Sequence, residues 1–105
     1  MSKTLRDVFS AIEDPTRRKI LTLLADDAMP VGELTGHFDI SRPAVSRHLR
    51  VLRETGLVSE KREGREHVYS LRASPLQEVR LWIAHFDRFW AVKLKNLKSR
   101  ALDAG

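Results

Sequence analysis

Four arginines fall within thirteen residues of the segment Ser41-Arg42-Pro43-Ala44-Val45-Ser46-Arg47-His48-Leu49-Arg50-Val51-Leu52-Arg53. A guanidinium is a planar fork that donates paired hydrogen bonds to guanine O6 and N7 or to phosphate oxygens, and serine is a small donor to either. Wound as an α-helix at about 100° per residue, Val45, His48, Leu49 and Leu52 share one side. Pro43, Ser46, Arg47 and Arg50 lie opposite, with Arg42 and Arg53 near one border. One stripe is fit to be pinned on a core while the other offers donors to a major groove. Ser41, Arg42, Ser46, Arg47 and Arg50 are therefore the expected contacts to double-stranded DNA. Arg62 and Arg65 flank a glycine in a second charged stretch and suit phosphate neutralisation or minor-groove entry. The plainer reading of all these charges is a solvated surface.

Other chemistries find less support. The histidines His37, His48, His67 and His85 show no H-x₃-H or H-E-x-x-H spacing, so no metal ligand set is expected. His48 sits on the inner border of its helix and reads as a core-edge or interface residue; His67 is either a phosphate contact or simply exposed. Ser46 and His48 project about 200° apart on a helix and cannot pair as nucleophile and base. No Gly-x-Ser-x-Gly elbow or phosphate-binding glycine loop occurs, so neither an enzyme nor a cofactor is expected. Arg17 and Arg18, near a helix start, could approach a phosphate, but pairing with Glu13 or Asp14, or packing of the stem, is the expected role.

These residues need positioning elements. Leu5, Val8, Phe9 and Ile12 recur at helical spacing with Thr4 as a candidate cap. Asp14-Pro15 starts a second helix whose buried side is Ile20, Leu21, Leu23 and Leu24. Val31, Leu34 and Phe38 mark a short third helix. Ser41 caps the arginine-bearing fourth, and Gly56 ends it. The runs 57–62 and 67–71 read as a two-stranded hairpin turning through Glu63-Gly64-Arg65-Glu66. Ser74-Pro75-Leu76-Gln77 reads as a capping box opening a last helix to about Leu102, roughly 40 Å long. The expected fold is mainly α (α+β), a winged helix-turn-helix in the order α-α-α-α-β-β-α. It forms one domain over 1–105, with the helix-turn-helix at about 31–55, the wing at about 57–71, and dimerisation helices at about 4–12 and 75–102.

A chain of 105 residues can bury a real core. The absence of cysteine removes disulfide and thiolate chemistry. No apolar run spans a bilayer and the first residues lack a signal-peptide core, so a cytoplasmic location without membrane contact is expected. Of the net charge of +5, residues 41–67 hold seven basic against four acidic side chains, whereas residues 1–40 hold five against seven. That asymmetry gives the molecule a polyanion-facing side. The last helix carries Trp82, Ile83, Phe86, Phe89 and Trp90, too wide an apolar surface for one small domain to cover. Packing with Leu5, Val8 and Phe9 of the first helix against a second copy would cover it, giving a homodimer. A lipophilic ligand pocket or a membrane-surface helix is the alternative use of that face.

The segments Asp14-Pro15-Thr16-Arg17-Arg18-Lys19-Ile20-Leu21, Ile40-Ser41-Arg42-Pro43-Ala44-Val45-Ser46-Arg47-His48-Leu49 and Leu52-Arg53-Glu54-Thr55-Gly56-Leu57-Val58 resemble ArsR/SmtB-type repressors. Arg62-Glu63-Gly64-Arg65-Glu66-His67-Val68-Tyr69-Ser70-Leu71 resembles the wing of that family. The resemblance implies a homodimeric transcriptional repressor on a pseudo-palindromic operator, with Arg42, Ser46 and Arg47 at the DNA. Metal-sensing members commonly carry cysteines before the recognition helix, where this chain reads Val31-Gly32-Glu33-Leu34-Thr35-Gly36-His37-Phe38, or paired carboxylate and histidine ligands on the last helix. Here that helix offers His85, Glu78 and Asp87 out of pattern, so the chain resembles the metal-independent branch. A winged-helix protein adaptor and a non-specific architectural DNA binder are the competing readings. Neither the operator nor an effector can be read from the residues.

Overall fold

In the computed structural model, residues 7–91 and 93 are described. The chain runs α1 (Val8–Ala11), α2 (Pro15–Asp26), β1 (Met29–Pro30), α3 (Val31–Thr35), α4 (Arg42–Glu54), β2 (Val58–Glu63), β3 (Glu66–Leu71) and α5 (Leu76–Ala84). The two longest helices, α2 and α4, begin where a short polar side chain can satisfy an otherwise orphaned amide. Asp14 caps α2 by accepting from the Arg17 amide at 2.9 Å, and Ser41 caps α4 by accepting from the Ala44 amide at 3.2 Å. In both helices a proline occupies the first turn, where its missing N–H costs nothing.

The end of α4 is equally local in origin. Gly56 adopts φ +78°, its amide donates to Arg53 O, and the Leu57 amide reaches back to Leu52 O. This is the paired bonding of a Schellman motif, and Leu52 and Leu57, both fully buried, supply its apolar contact. Gly64 (φ +63°) is first of the two residues linking β2 to β3, a position that type II′ hairpin turns reserve for glycine.

The sheet has three strands, not the two expected. β1 pairs antiparallel with β3 through Met29↔Tyr69 and Pro30↔Val68, giving the order β1-β3-β2. Its two residues show no periodicity of their own; they are held extended by a partner some forty residues away. The core unites Ile20, Leu21 and Leu24 of α2, Leu34 of α3, Val45, Leu49 and Leu52 of α4, and Val58 and Tyr69 of the sheet. The apolar stripe of α4 is thereby locked inward, which fixes the direction of its opposite face.

Several boundaries differ from the sequence-based expectation. The first helix begins at Val8 and its cap is Asp7, which accepts from the Ser10 amide at 2.8 Å; Thr4 and Leu5 lie outside the described residues. α3 stops at Thr35, and Phe38 packs on the core from the turn that follows. Ser74 and Gln77 form no capping box. Pro75 is already in the right-handed helical region, backbone carbonyls of Ala73 and Ser74 take the first amides, and Gln77 accepts from Arg80 instead. The last helix is interrupted at His85 and Phe86, whose amides tighten onto carbonyls three residues back, before residues 87–91 are helical again. Its continuation past residue 93, with Leu94, Leu97 and Leu102, falls outside the described residues.

Candidate nucleic-acid interface

Arg42, Ser46, Arg47 and Arg50 are all exposed on α4, while Val45, Leu49 and Leu52 on its other side are fully buried. Ser41 is exposed too, but its hydroxyl oxygen is committed to the Ala44 amide. Among the described residues Arg42 and Arg47 form no hydrogen bond or ion pair, so their forks project into solvent. Arg50 is paired with Glu54 one turn on, at 3.6 Å with both side chains well exposed, a contact worth well under 1 kcal/mol and readily exchanged for another anion. An open groove of about 510 Å³ runs along this face between Arg17, Arg47, His48 and Arg50. On the hairpin, Arg62 and Arg65 are exposed near the tip, Arg62 Nε donating to Gly64 O at 3.2 Å.

Arg17 and Arg18 serve the fold, though not chiefly through the acidic partners expected of them. Arg17 donates from Nε to Ala11 O (2.7 Å) and from its terminal nitrogen to Ser10 O (3.2 Å); Arg18 donates to Ile12 O and Glu13 O. The carbonyls left over where α1 ends thus meet two cations from the first turn of α2. Arg17 also reaches the His48 ring at 3.4 Å, tying the α1–α2 junction to the inner border of α4. His48 is half-buried there, with Asp14 Oδ2 at 3.9 Å. Partial burial pushes the Asp14 carboxyl upward, but the Arg17 amide, then the charges of His48 and Arg17, outweigh it and hold its pKa below the ordinary 3.8.

A second polar cluster, which sequence reasoning missed, joins α4 to the hairpin. Glu60 of β2 accepts from Arg53 of α4 through one carboxylate oxygen and pairs with His67 of β3 through the other. The Tyr69 hydroxyl faces the same carboxylate; burial first, then the Glu60 charge, raises its pKa above 10.0. The cluster depends on the register Glu60↔Tyr69 and Arg62↔His67, which no local spacing announces.

On the last helix, Trp82, Ile83, Phe86, Phe89 and Trp90 are each between 43% and 57% exposed. Phe9 is half-buried and meets Trp82 edge-on, ring centroids 5.9 Å apart. Val8 does not belong to this face: at 4% exposure it fills the core, because the short α1 turns it inward.

Two helices joined by a tight turn, the second presenting a cationic stripe, with an antiparallel hairpin beside it, define a winged helix-turn-helix. The family pattern described as bacterial regulatory protein, arsR family, matches residues 14–60. The chain is 43% identical over 82 residues to the transcriptional repressor SdpR of Bacillus subtilis (strain 168), covering 78% of this chain and 91% of that one. It is 42% identical over 82 residues to the HTH-type transcriptional regulator Rv2034 of Mycobacterium tuberculosis, covering 78% and 74%. An ArsR-like transcriptional regulator from Rhodococcus sp. RHA1 superposes with a TM-score of 0.66 at 30% identity, covering 88% and 87%. The chain belongs to the ArsR family of transcriptional regulators.

Proposed function

We propose that this chain is a transcriptional repressor that binds a pseudo-palindromic operator as a homodimer, without a metal ligand. The carrying observation is the split character of α4: a fully buried apolar stripe, with Arg42, Ser46, Arg47 and Arg50 exposed opposite it. Arg42, Ser46 and Arg47 contact base edges or nearby phosphates, Ser41 and Arg50 assist, and Arg62 and Arg65 hold the flanking backbone. Of the residues lining the groove, Arg47 and Arg50 are the cations offered to a phosphate, since Arg17 is committed to the carbonyls of α1 and Glu54 is an anion.

A single recognition helix reads only a few base pairs, so specificity needs a second one at a fixed distance. The exposed aromatic face of α5 and residues 87–91, continued by Phe9, supplies the means. Each ring is about half covered already, so burying the rest is worth about half of the 1.5–3 kcal/mol of full burial, and a two-fold interface counts every ring twice. Half-sites then lie roughly 34–36 Å apart, one turn of DNA.

A mobility-shift titration at several salt concentrations tests this. Binding to duplex must weaken steeply as salt rises, with a slope of about −0.9 per phosphate neutralised. R47A should cost about 1–3 kcal/mol on a selected operator and less on random duplex. Salt-insensitive association, or none, would refute the DNA reading; equal losses on both duplexes would assign Arg47 to the backbone alone.

A further inference from the structure

Glu60 is a carboxylate in an unfavourable place for a surface that approaches a polyanion, because its charge opposes the attraction supplied by Arg62 and Arg65. Its surroundings account for it. One oxygen holds Arg53 in the last turn of α4, the other holds His67 on β3, and Tyr69 lies directly across the ladder. The Glu60 side chain is only 21% exposed, whereas Arg53 and His67 are about half exposed. The pleat puts Glu60 and Arg62 on one face of β2, two residues apart, with His67 paired opposite Arg62. The carboxylate therefore sits between the buried base of the hairpin, Val58 and Tyr69, and the exposed tip that carries Arg62 and Arg65 beside Glu63 and Glu66. All residues from Lys61 to His67 are exposed, so beyond the buried base at Leu57, Val58 and Tyr69 the tip is held against α4 by strand pairing and by this cluster.

We propose that Glu60 is a positioning residue for operator recognition: by clamping Arg53, His67 and Tyr69 together it sets the angle of the wing to the recognition helix. Arg62 and Arg65 then reach the backbone in the same docked pose in which Arg42, Ser46 and Arg47 meet the bases. The inference rests on the DNA-contact reading above and adds to it a residue that never touches DNA.

Charge and positioning predict opposite signs. Loss of a carboxylate tightens binding if only charge matters, and loosens operator binding if the clamp matters. The test is a double-mutant cycle between E60A and the wing variant R62A/R65A, read by titrating a duplex selected in vitro from a random pool and a random duplex at one salt concentration. The expected result is about fivefold weaker operator binding for E60A, no weakening on random duplex, and a wing contribution reduced by a similar factor when E60A is present. E60Q, which keeps the shape and an acceptor for Arg53, should restore most of the coupling; a general loss of packing would not distinguish these variants. Should E60A melt below the assay temperature, R53Q opens the same clamp from an exposed side chain of α4 and carries the cycle. Additive losses, or equal tightening on both duplexes, would overturn the proposal. A wing variant that binds as tightly as wild type would overturn the wing's place in the interface itself, and that result precedes any change at Glu60.

Discussion

Replacing Arg17 by methionine separates a structural cation from a DNA contact. In the structure two of its nitrogens serve carbonyls at the end of α1, Ala11 O at 2.7 Å and Ser10 O at 3.2 Å, and a third approaches His48. A charge-assisted hydrogen bond is worth about 1.5–3 kcal/mol, and of the two acceptors Ser10 O keeps the Glu13 amide at 3.3 Å when the guanidinium is removed. The site is only partly buried, so water recovers part of that; the net loss should be about 2 kcal/mol rather than the sum of both bonds. For a domain of this size that lowers the melting midpoint by roughly 8–16 °C. Methionine keeps the stem's packing, so the loss isolates the guanidinium. The assay is paired: a thermal melt followed by circular dichroism, and duplex binding over a series of salt concentrations. R17M should melt earlier and leave the salt slope unchanged. An unchanged melt together with a slope smaller by about 0.9 would show that Arg17 neutralises a phosphate and would refute the structural assignment.

Gly56→Ala forces a Cβ into φ +78°, where the nearest foreign atom, Pro75 Cγ at 3.6 Å, is an ordinary contact. The cost is therefore backbone strain alone, about 1–2 kcal/mol by denaturant titration, and G56N should recover part of it. Asp14→Ala should cost about 1 kcal/mol through the lost cap of α2. Because the folded-state pKa of Asp14 lies below 3.8, its charge stabilises the fold above that pH and the contribution disappears as pH falls through the depressed value. The stability gap between wild type and D14N should accordingly be flat near neutrality and close on acidification below about 4. Trp90→Ser removes a ring that is 51% exposed and touches only Phe89 among the described rings. Sedimentation should show the dimer weakened roughly ten- to a hundredfold, since each of two half-covered rings forfeits about half of the 1.5–3 kcal/mol that full burial is worth, with the monomer's melt little changed.

What could be read from the chain was the chemistry that is settled within a few residues. Asp14 and Ser41 announce their helices because capping needs only an oxygen three residues before an amide. Gly56 and Gly64 announce their turns because few other residues tolerate their backbone angles. The outward stripe of α4 follows from helical period alone. The features that escaped depend on partners distant in sequence. β1 is too short to show alternation and exists through Tyr69 and Val68. The Glu60 cluster needs the hairpin register and the docking of α4 together. Asp7 was within reach of local reasoning: it stands three residues before the amide it caps, a better-placed acceptor than Thr4. Ser74 failed in the opposite way, since a matching pattern was pre-empted by a backbone turn that already satisfied the same amides.

The brevity of β1 bears on how copies of this molecule can meet. A sheet grows by recruiting a strand to an open border, and here one border is two residues long and ends in Pro30, which has no amide hydrogen to offer. The opposite border, β2, is charged throughout its second half, with Glu60, Lys61, Arg62 and Glu63 in succession. Neither invites a neighbour's backbone, so stacking into ribbons is discouraged on both flanks. The dimer proposed above uses the aromatic helical surface instead, and a two-fold contact of that kind satisfies itself after one partner and then stops.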